Sequence, residues 1–262
     1  MSNSRLPAET LDHIVDLLRN AKPALKNGCL VSKSWIPRTR KYLFADIRIL
    51  TSENLRSWKE TFPDPLTSPA RYAETLFVRC THSITLADAE EAGWLRGFSR
   101  AVHLVLGGSE PLGTGSGLYH TPLHKLSLVP FHAFSPAIKS LHLAFALLLP
   151  ATIDLILSFP LLQDLTVLTY AIQADEGDGP DRSSAVTQPS NSPTFNGTLD
   201  LWGGVLPLIR QLLSLPDGIH FRKLILTCRN ELDLRMEVAL VEGCSRSLES
   251  LHIGCSLDGP SV

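Results

Sequence analysis

The residues whose types and spacing are most similar to those of a catalytic or ligand-binding motif lie in a glycine-rich segment, residues 107–117. Gly108 and Gly113 have the Gly-x4-Gly spacing of a phosphate-binding loop, whose backbone N–H groups cradle nucleotide phosphates. That loop also needs a lysine after the second glycine, but Thr114 follows Gly113 directly and no lysine is near. Ser116 lacks the flanking glycines of a Gly-x-Ser-x-Gly nucleophile elbow. We therefore predict a loop without nucleotide-binding or acyl-transfer chemistry.

Histidines and cysteines are frequent enough for metal or redox chemistry, but their spacing does not favour it. His120 and His124 are four residues apart, but Pro122 between them disfavours a regular helix. The five cysteines contain no Cys-x2-Cys pair, so no structural zinc site is predicted. An odd cysteine count without an export signal predicts reduced thiols and a cytoplasmic or nuclear protein. We therefore predict no catalytic residue, no metal, no cofactor and no enzymatic activity.

The composition is that of an ordinary globular protein and does not indicate a strongly charged partner. The chain has 262 residues, 44% of them hydrophobic, and a formal net charge of −2. It therefore lacks the overall basic excess that indicates nucleic-acid binding. Its longest apolar run, residues 143–151, is too short to span a bilayer. We predict neither nucleic acid nor a membrane as a partner. The length of the chain is sufficient for one large hydrophobic core or two modest ones.

Three short helices are predicted at the N-terminus, within residues 5–46. The first follows Pro7, which suits an initial helical turn, and carries one apolar stripe at helical spacing. The stripe consists of Leu11, Ile14, Val15 and Leu18. A second helix is predicted over about 23–33, and a third after Ser34, a good capping residue. Because three helices of this size have a small core, we expect apolar surface to remain for a partner.

The order of residues in this unit resembles an F-box, in the form common in large fungal families. The resemblance covers about residues 5–46: Leu-Pro near the start, then Ile, paired Leu, Leu-Val-Ser, Trp and Leu-Phe. It implies docking on the Skp-type adaptor of a cullin–RING ubiquitin ligase. The implied adaptor-binding positions are Leu6, Pro7, Ile14, Leu18, Leu30, Val31 and Trp35. The open alternative is that these residues only close a three-helix core.

Basic residues are frequent in the same unit, and two interpretations stay open. They are Lys22, Lys26, Lys33, Arg38, Arg40 and Lys41. They can form a solvated face, or they can complement an acidic partner, which would raise association rates more than affinity.

Residues 47–262 are predicted to alternate short strands with helices. Apolar pairs with period two mark the strands. The pairs are Ile47/Ile49, Leu76/Val78, Leu104/Leu106, Leu126/Leu128, Leu141/Leu143, Leu165/Val167, Leu224/Leu226 and Leu251/Ile253. The predicted helices span residues 85–95, 151–158, 201–213 and 232–242. Most intervals between pairs match the 20–29-residue unit of leucine-rich repeats, but one of 15 and one of 59 residues do not.

The predicted fold class is therefore α/β, with a helical unit followed by a degenerate leucine-rich-repeat-like solenoid and a parallel sheet. A compact α/β domain is the alternative. A polar segment at about 174–197 is predicted to be a disordered insert. His103, His142 and His252 alternate with the apolar strand residues, so we expect them on the opposite face, solvated or part of a binding surface.

Together with the resemblance, this organisation implies a substrate-recognition subunit of an SCF-type cullin–RING ubiquitin ligase, with the adaptor and an unknown target protein as partners. The alternative is a leucine-rich-repeat-like interaction module without a ubiquitin role, in which the N-terminal helices only cap the solenoid. A third hypothesis, an enzyme on an α/β sheet, would need a polar pocket at the carboxyl ends of the strands.

Overall fold

The computed structural model describes residues 7–31, 33–79, 93–107, 137–144, 149–168, 193, 195–202, 205–228 and 231–255. Over this part of the chain the protein is an α/β fold with seven α-helices and one eight-stranded parallel sheet. The prediction of an α/β protein built on a parallel sheet is therefore confirmed.

Three helices come before the sheet, and four more lie between its strands. The first three are α1 (Ala8–Leu17), α2 (Lys22–Val31) and α3 (Ile36–Leu43). The later ones are α4 (Ser52–Thr61), α5 (Leu149–Leu157), α6 (Leu206–Leu213) and α7 (Glu231–Gly243). Short 3₁₀ turns occupy Lys33–Trp35, Pro69–Tyr72 and Gly93–Gly97.

The strands pair in the order in which the chain makes them. They are β1 (Asp46–Ile49), β2 (Thr75–Arg79), β3 (His103–Gly107), β4 (Ser140–Ala144), β5 (Asp164–Leu168), β6 (Thr198–Trp202), β7 (Lys223–Cys228) and β8 (Ser250–Cys255). Each strand is parallel to its neighbours, so all eight strands begin at the same end of the sheet. Each described strand beyond the first is therefore added beside the one before it.

The register of the sheet aligns two continuous aliphatic rows. The first row is Ile47, Leu76, Leu104, Leu141, Leu165, Leu199, Leu224 and Leu251; the second is Ile49, Val78, Leu106, Leu143, Val167, Leu201, Leu226 and Ile253. From β1 to β7 every member is buried. At β8 the rows emerge, with Leu251 41% and Ile253 50% exposed. Period-two alternation thus places one face of the sheet in the core.

The helices between the strands pack on the face that carries the aliphatic rows. Leu55 of α4, Ile156 of α5, Leu212 of α6 and Leu240 of α7 belong to the same buried cluster as those rows. We call the other side of the sheet the open face, because its side chains are half-buried or exposed.

Strand β6 corrects the prediction for the longest interval between strands. The interval of 59 residues contains β6, whose Leu199 and Leu201 continue the aliphatic rows. The predicted helix over 201–213 was therefore wrong at its start, since α6 begins only at Leu206. Of the predicted helix over 85–95, only the end is described, as the Gly93–Gly97 turn.

The predicted strand at Leu126 and Leu128 lies outside the described residues. β3 nevertheless pairs directly with β4, through Leu104 with Leu141 and Leu106 with Leu143. No strand therefore stands between them in the sheet, which corrects the prediction for the interval of 15 residues.

The predicted disordered insert, residues 174–197, lies mostly outside the described residues, but its end is ordered. Phe195 is 1% exposed, and its ring centroid lies 5.2 Å from that of Phe221. Gly197 donates its N–H to the Gln163 carbonyl, and a Cβ at this position would lie only 2.9 Å from that oxygen. The segment therefore joins the packed fold by Phe195, and the prediction was wrong for its last residues.

Candidate functional site

Helices α1–α3, which we call the N-terminal unit, have a small core of their own. Val15 on α1 is 1% exposed and Leu25 on α2 is fully buried, yet neither belongs to the main core cluster. Gly28 lets α2 approach its neighbours closely, because a Cβ there would lie 3.3 Å from both the Trp35 ring and the Thr39 methyl group. Trp35 therefore closes this small core, although its side chain is only half-buried.

Thr39, on α3, is linked through its hydroxyl group to α2 and to the Lys33–Trp35 turn. The hydroxyl donates to the Trp35 carbonyl oxygen at 2.7 Å, and the Cys29 sulfur lies 2.9 Å from the same hydroxyl oxygen. Because the hydroxyl proton is already used, the thiol is the donor to Thr39. This explains how a polar side chain only 1% exposed is accommodated in the core of the unit.

A cluster of charged and polar side chains, which we call the Asp16 clamp, ties α1 to α3. Arg38 donates from Nε to Asp16 Oδ1 at 2.7 Å and from Nη2 to Oδ2 at 2.5 Å. The Tyr42 hydroxyl donates to Oδ1 at 2.6 Å, and Arg38 Nη1 lies 2.8 Å from Asp12 Oδ2. Hydrogen bonds from Arg38 and then Tyr42 lower the pKa of Asp16 to about 2. The bond to Asp16 raises the pKa of Tyr42.

The clamp changes the interpretation of the basic residues in this unit. Arg38, predicted with the others to lie on a solvated or partner-facing surface, is engaged within the unit instead. Lys26 and Lys33 are exposed, on either side of the end of α2. A spacing of 22 residues along the chain separates the two clamp partners, so no local pattern indicated their contact.

Two large aliphatic side chains at the end of α2 project into solvent. Leu30 is 87% exposed and Val31 is 70% exposed; we call this pair the Leu30 patch. Leu17, the last residue of α1, is also 73% exposed. Scattered apolar residues are ordinary on protein surfaces, and the Leu30 patch is a candidate contact surface because its two exposed side chains are adjacent.

The predicted adaptor-binding residues fall into three groups in the structure. Leu30 and Val31 are exposed, and Pro7 is exposed at the residue before α1. Ile14, Leu18 and Trp35 are half-buried. Leu6 lies outside the described residues.

Sequence reasoning missed Leu17, which is more exposed than Leu18 beside it. Neighbouring residues on a helix point about 100° apart, so only one of two adjacent leucines can belong fully to an inward stripe. The paired leucines themselves were therefore a usable signal that one of them is surface-exposed.

A second candidate surface lies on the open face of the sheet. One row of this face crosses all eight described strands at the positions between the two aliphatic rows. Its members are Arg48, Phe77, Val105, His142, Thr166, Asp200, Ile225 and His252. Charged, imidazole and hydroxyl groups thus share with apolar ones a surface that is only partly covered.

The centre of this row is less solvated than predicted. His103 and His252 are exposed, as expected, but His142 is half-buried and its Nε2 atom has no hydrogen-bond partner among the described residues. Burial lowers the pKa of His142 and raises the pKa of the Asp200 carboxyl group. The Trp202 indole donates from Nε1 to Asp200 Oδ1 at 2.6 Å.

The chain matches no protein-family model, no curated protein and no solved structure. Within the described ranges, no three His, Cys, Asp or Glu side chains are grouped to hold a metal ion. None of the described helices has the length and apolar character needed to cross a membrane. Function must therefore be inferred from the Leu30 patch and the open face themselves.

Proposed function

We propose that this protein is a substrate-recognition subunit of an SCF-type cullin–RING ubiquitin ligase. The N-terminal unit acts as an F-box and docks on the Skp-type adaptor, while the repeat region binds a target protein. Ubiquitin transfer belongs to other subunits. This chain contributes proximity, since tethering a target raises the effective concentration of its lysines near the loaded enzyme.

The observation that supports adaptor docking is the exposure of the Leu30 patch. The resemblance to an F-box implies adaptor contacts at Leu30 and Val31, and both side chains are on the surface. Burying such a side chain against a partner contributes about 1.5–3 kcal/mol. Exposed Lys26 and Lys33 lie near the patch in the chain, which favours an adaptor surface with an apolar centre and an acidic rim.

The order of the strands supports a leucine-rich-repeat-like solenoid for the rest of the chain. Each described strand pairs only with its sequence neighbours, as in repeat proteins where each unit contacts the next. Successive members of the first aliphatic row are 24–37 residues apart, and five of the seven intervals do not exceed 29. Those five match the leucine-rich-repeat unit, and the two longer intervals contain insertions.

Binding of the purified chain to a purified Skp-type adaptor, measured by titration calorimetry, tests this proposal. We expect the wild-type chain to bind and the double variant Leu30→Ala, Val31→Ala to bind at least about tenfold more weakly, since two anchors are truncated. Leu66→Ala is the matched control, because Leu66 is 74% exposed but lies outside the N-terminal unit. Absence of wild-type binding would contradict the proposal. Equal affinity of the adaptor for the Leu30→Ala, Val31→Ala double variant and for the Leu66→Ala control would contradict it as well.

A second candidate is an interaction module whose helices only cap the sheet. Phe44, directly after α3, packs against the main core, and α3 contacts the Pro69–Tyr72 turn. Those contacts are the ones that a cap needs. The same calorimetry separates the two candidates, because a cap has no reason to bind the adaptor. Trp35 is a poor probe for this purpose, since it also closes the core of the unit.

A further inference from the structure

The last described strand of the sheet, β8, has one unpaired edge and carries exposed aliphatic side chains. On one side, all six of its residues are in register with β7. On the other side, no described strand pairs with it. Leu251 and Ile253 continue the two aliphatic rows, yet they are 41% and 50% exposed, whereas the equivalent residues of β1 to β7 are buried. An edge strand with free N–H and C=O groups is a template for pairing with another strand.

Helix α7 continues this apolar surface in the layer that packs on the sheet. Gly243 of α7 faces α6, because a Cβ at this position would lie 3.0 Å from Leu213 Cδ2. At about 100° per residue, Leu234 and Val238 lie on the opposite flank of α7, and they are 45% and 50% exposed. This flank therefore faces away from α6, in the direction of the free edge of β8. We call Leu234, Val238, Leu251 and Ile253 together the β8 end.

The first strand does not offer the same kind of edge. Ile47 and Ile49 of β1 are only 6% and 2% exposed, although β1 is the other outer strand of the described sheet. Asp46 and Arg48 place exposed charges on its open face, and charges on edge strands discourage pairing with another chain. Strand β8 has no Asp, Glu, Lys or Arg. A head-to-tail contact of β8 with β1 of another copy is therefore disfavoured, whereas β8 can meet a second β8.

Two β8 strands complement each other when they pair antiparallel about His252. Opposed residues in an antiparallel pair point to the same face of the sheet, so the two-fold axis must pass beside a residue and not between two. With the axis at His252, Leu251 lies opposite Ile253 of the second copy, and Ile253 lies opposite Leu251. Both aliphatic rows then continue across the junction on one face. Such an isologous contact closes at two copies.

We propose that the β8 end binds a second copy of this chain and forms a two-fold symmetric dimer with one continuous sheet. A single strand of another protein would cover Leu251 and Ile253 but leave Leu234 and Val238 exposed. A second copy brings both a strand and a helix to the junction, so the two α7 flanks face each other across the central strand pair. The contact does not involve the Leu30 patch, and the inference is independent of adaptor binding.

Sedimentation velocity of the full chain tests the proposal, and two charged variants test the pairing. We expect the wild type to convert from monomer to dimer between about 1 and 100 µM, since the contact is small for a specific interface. Leu251→Glu alone and Ile253→Lys alone should stay monomeric, because each homodimer would bury two unpaired charges. An equimolar mixture of the two variants should dimerise again, because opposite charges then lie opposite each other across the junction.

Leu66→Glu is the matched control, because Leu66 is 74% exposed and lies outside the β8 end; it should dimerise like the wild type. Hydrogen exchange of the wild type gives a readout that needs no variant. The amides of β8 should exchange more slowly at high protein concentration, while those of β4 do not change.

Three results would overturn the inference. The first is a wild-type chain that stays monomeric over the whole concentration range, with unchanged exchange in β8; its edge would then be open to a strand of another protein. The second is dimerisation that both single variants retain. The third is a mixture of the two variants that remains monomeric, which would exclude the pairing about His252.

Discussion

The N-terminal unit and the eight-stranded sheet bury their apolar residues in different ways. The unit buries Val15 and Leu25 in a core separate from the main one and adds a charged clamp around Asp16. The sheet buries two aliphatic residues from each of its first seven strands in unbroken rows. A small core leaves aliphatic side chains on the surface, whereas the sheet buries two continuous aliphatic rows on one face and leaves a mixture of polar and apolar side chains on the other.

This difference gives the two regions surfaces of different character. The N-terminal unit offers apolar surface at the Leu30 patch, which suits a partner that buries area. The open face instead carries polar side chains such as Asp200, whose carboxylate accepts the Trp202 indole N–H. Substitutions in the two cores should change stability most, and substitutions on the surface should change it least.

The largest effect is expected for Leu165→Ala at the centre of the sheet. Leu165 is fully buried between β4 and β6, and the rows on both sides leave little room for collapse into the cavity. We expect the free energy of unfolding to fall by about 3–5 kcal/mol, measured by urea denaturation. Leu161→Ala, at a position 48% exposed, is the control and should change stability little. A loss below about 1 kcal/mol for Leu165→Ala would contradict the continuous core.

A smaller and more local effect is expected for Leu25→Ala in the N-terminal unit. Because Leu25 does not belong to the main core cluster, its loss should open α1–α3 without loosening the sheet. We expect a cost of about 2–3 kcal/mol to the unit. Hydrogen exchange should show faster exchange in α1–α3 with unchanged protection in β4–β6. Equal loss of protection in both regions would show that they unfold together.

Acidification should also weaken the N-terminal unit selectively. The clamp lowers the pKa of Asp16 from its ordinary value of 3.8 to about 2. Its stabilisation is therefore fully present above pH 3.8 and is lost as the pH falls through about 2. Hydrogen exchange of α1 at a series of pH values measures the effect. Asp16→Asn should abolish this component of the pH dependence, and Asp217→Asn, a carboxylate outside the unit, should not.

The smallest effect on stability is expected for Leu30→Ser combined with Val31→Ser. Both side chains are largely exposed, so the free energy of unfolding in urea should change by no more than about 0.5 kcal/mol for each. A larger loss would show that the patch packs within the protein and would weaken its assignment as a docking surface.

The strands were the part of the fold that the sequence predicted best, because their signal is local. Leu-x-Leu pairs such as Leu104/Leu106 mark a strand with one buried face, and they pair in the described sheet as expected. β6 was missed because its Leu199 and Leu201 stand between a polar segment and α6, and the apolar run continuing into α6 was assigned to one helix. Period two over so short a stretch is easily masked by neighbouring apolar residues.

The candidate sites were predictable only in part. The F-box-like order of residues pointed to Leu30 and Val31, and both are exposed. The Arg38–Asp16 contact could not be derived from spacing, and the Trp202–Asp200 bond, between residues two apart, was missed together with strand β6. The first joins residues on different helices, and the alignment of His142, Thr166 and Asp200 in one row needs the registration of β4, β5 and β6, which tertiary pairing alone creates.

The two aliphatic rows give each pair of neighbouring strands from β1 to β7 the same kind of side-chain contact. A duplicated segment covering residues 198–222 would present Leu199 and Leu201 to the same neighbours that the original sheet provides. Lengthening the molecule by one such module would therefore require no new type of contact. Leu251 and Ile253 are exposed at β8 and continue the two aliphatic rows, so a further strand paired with β8 would extend both rows. The length of the sheet could therefore change by whole modules.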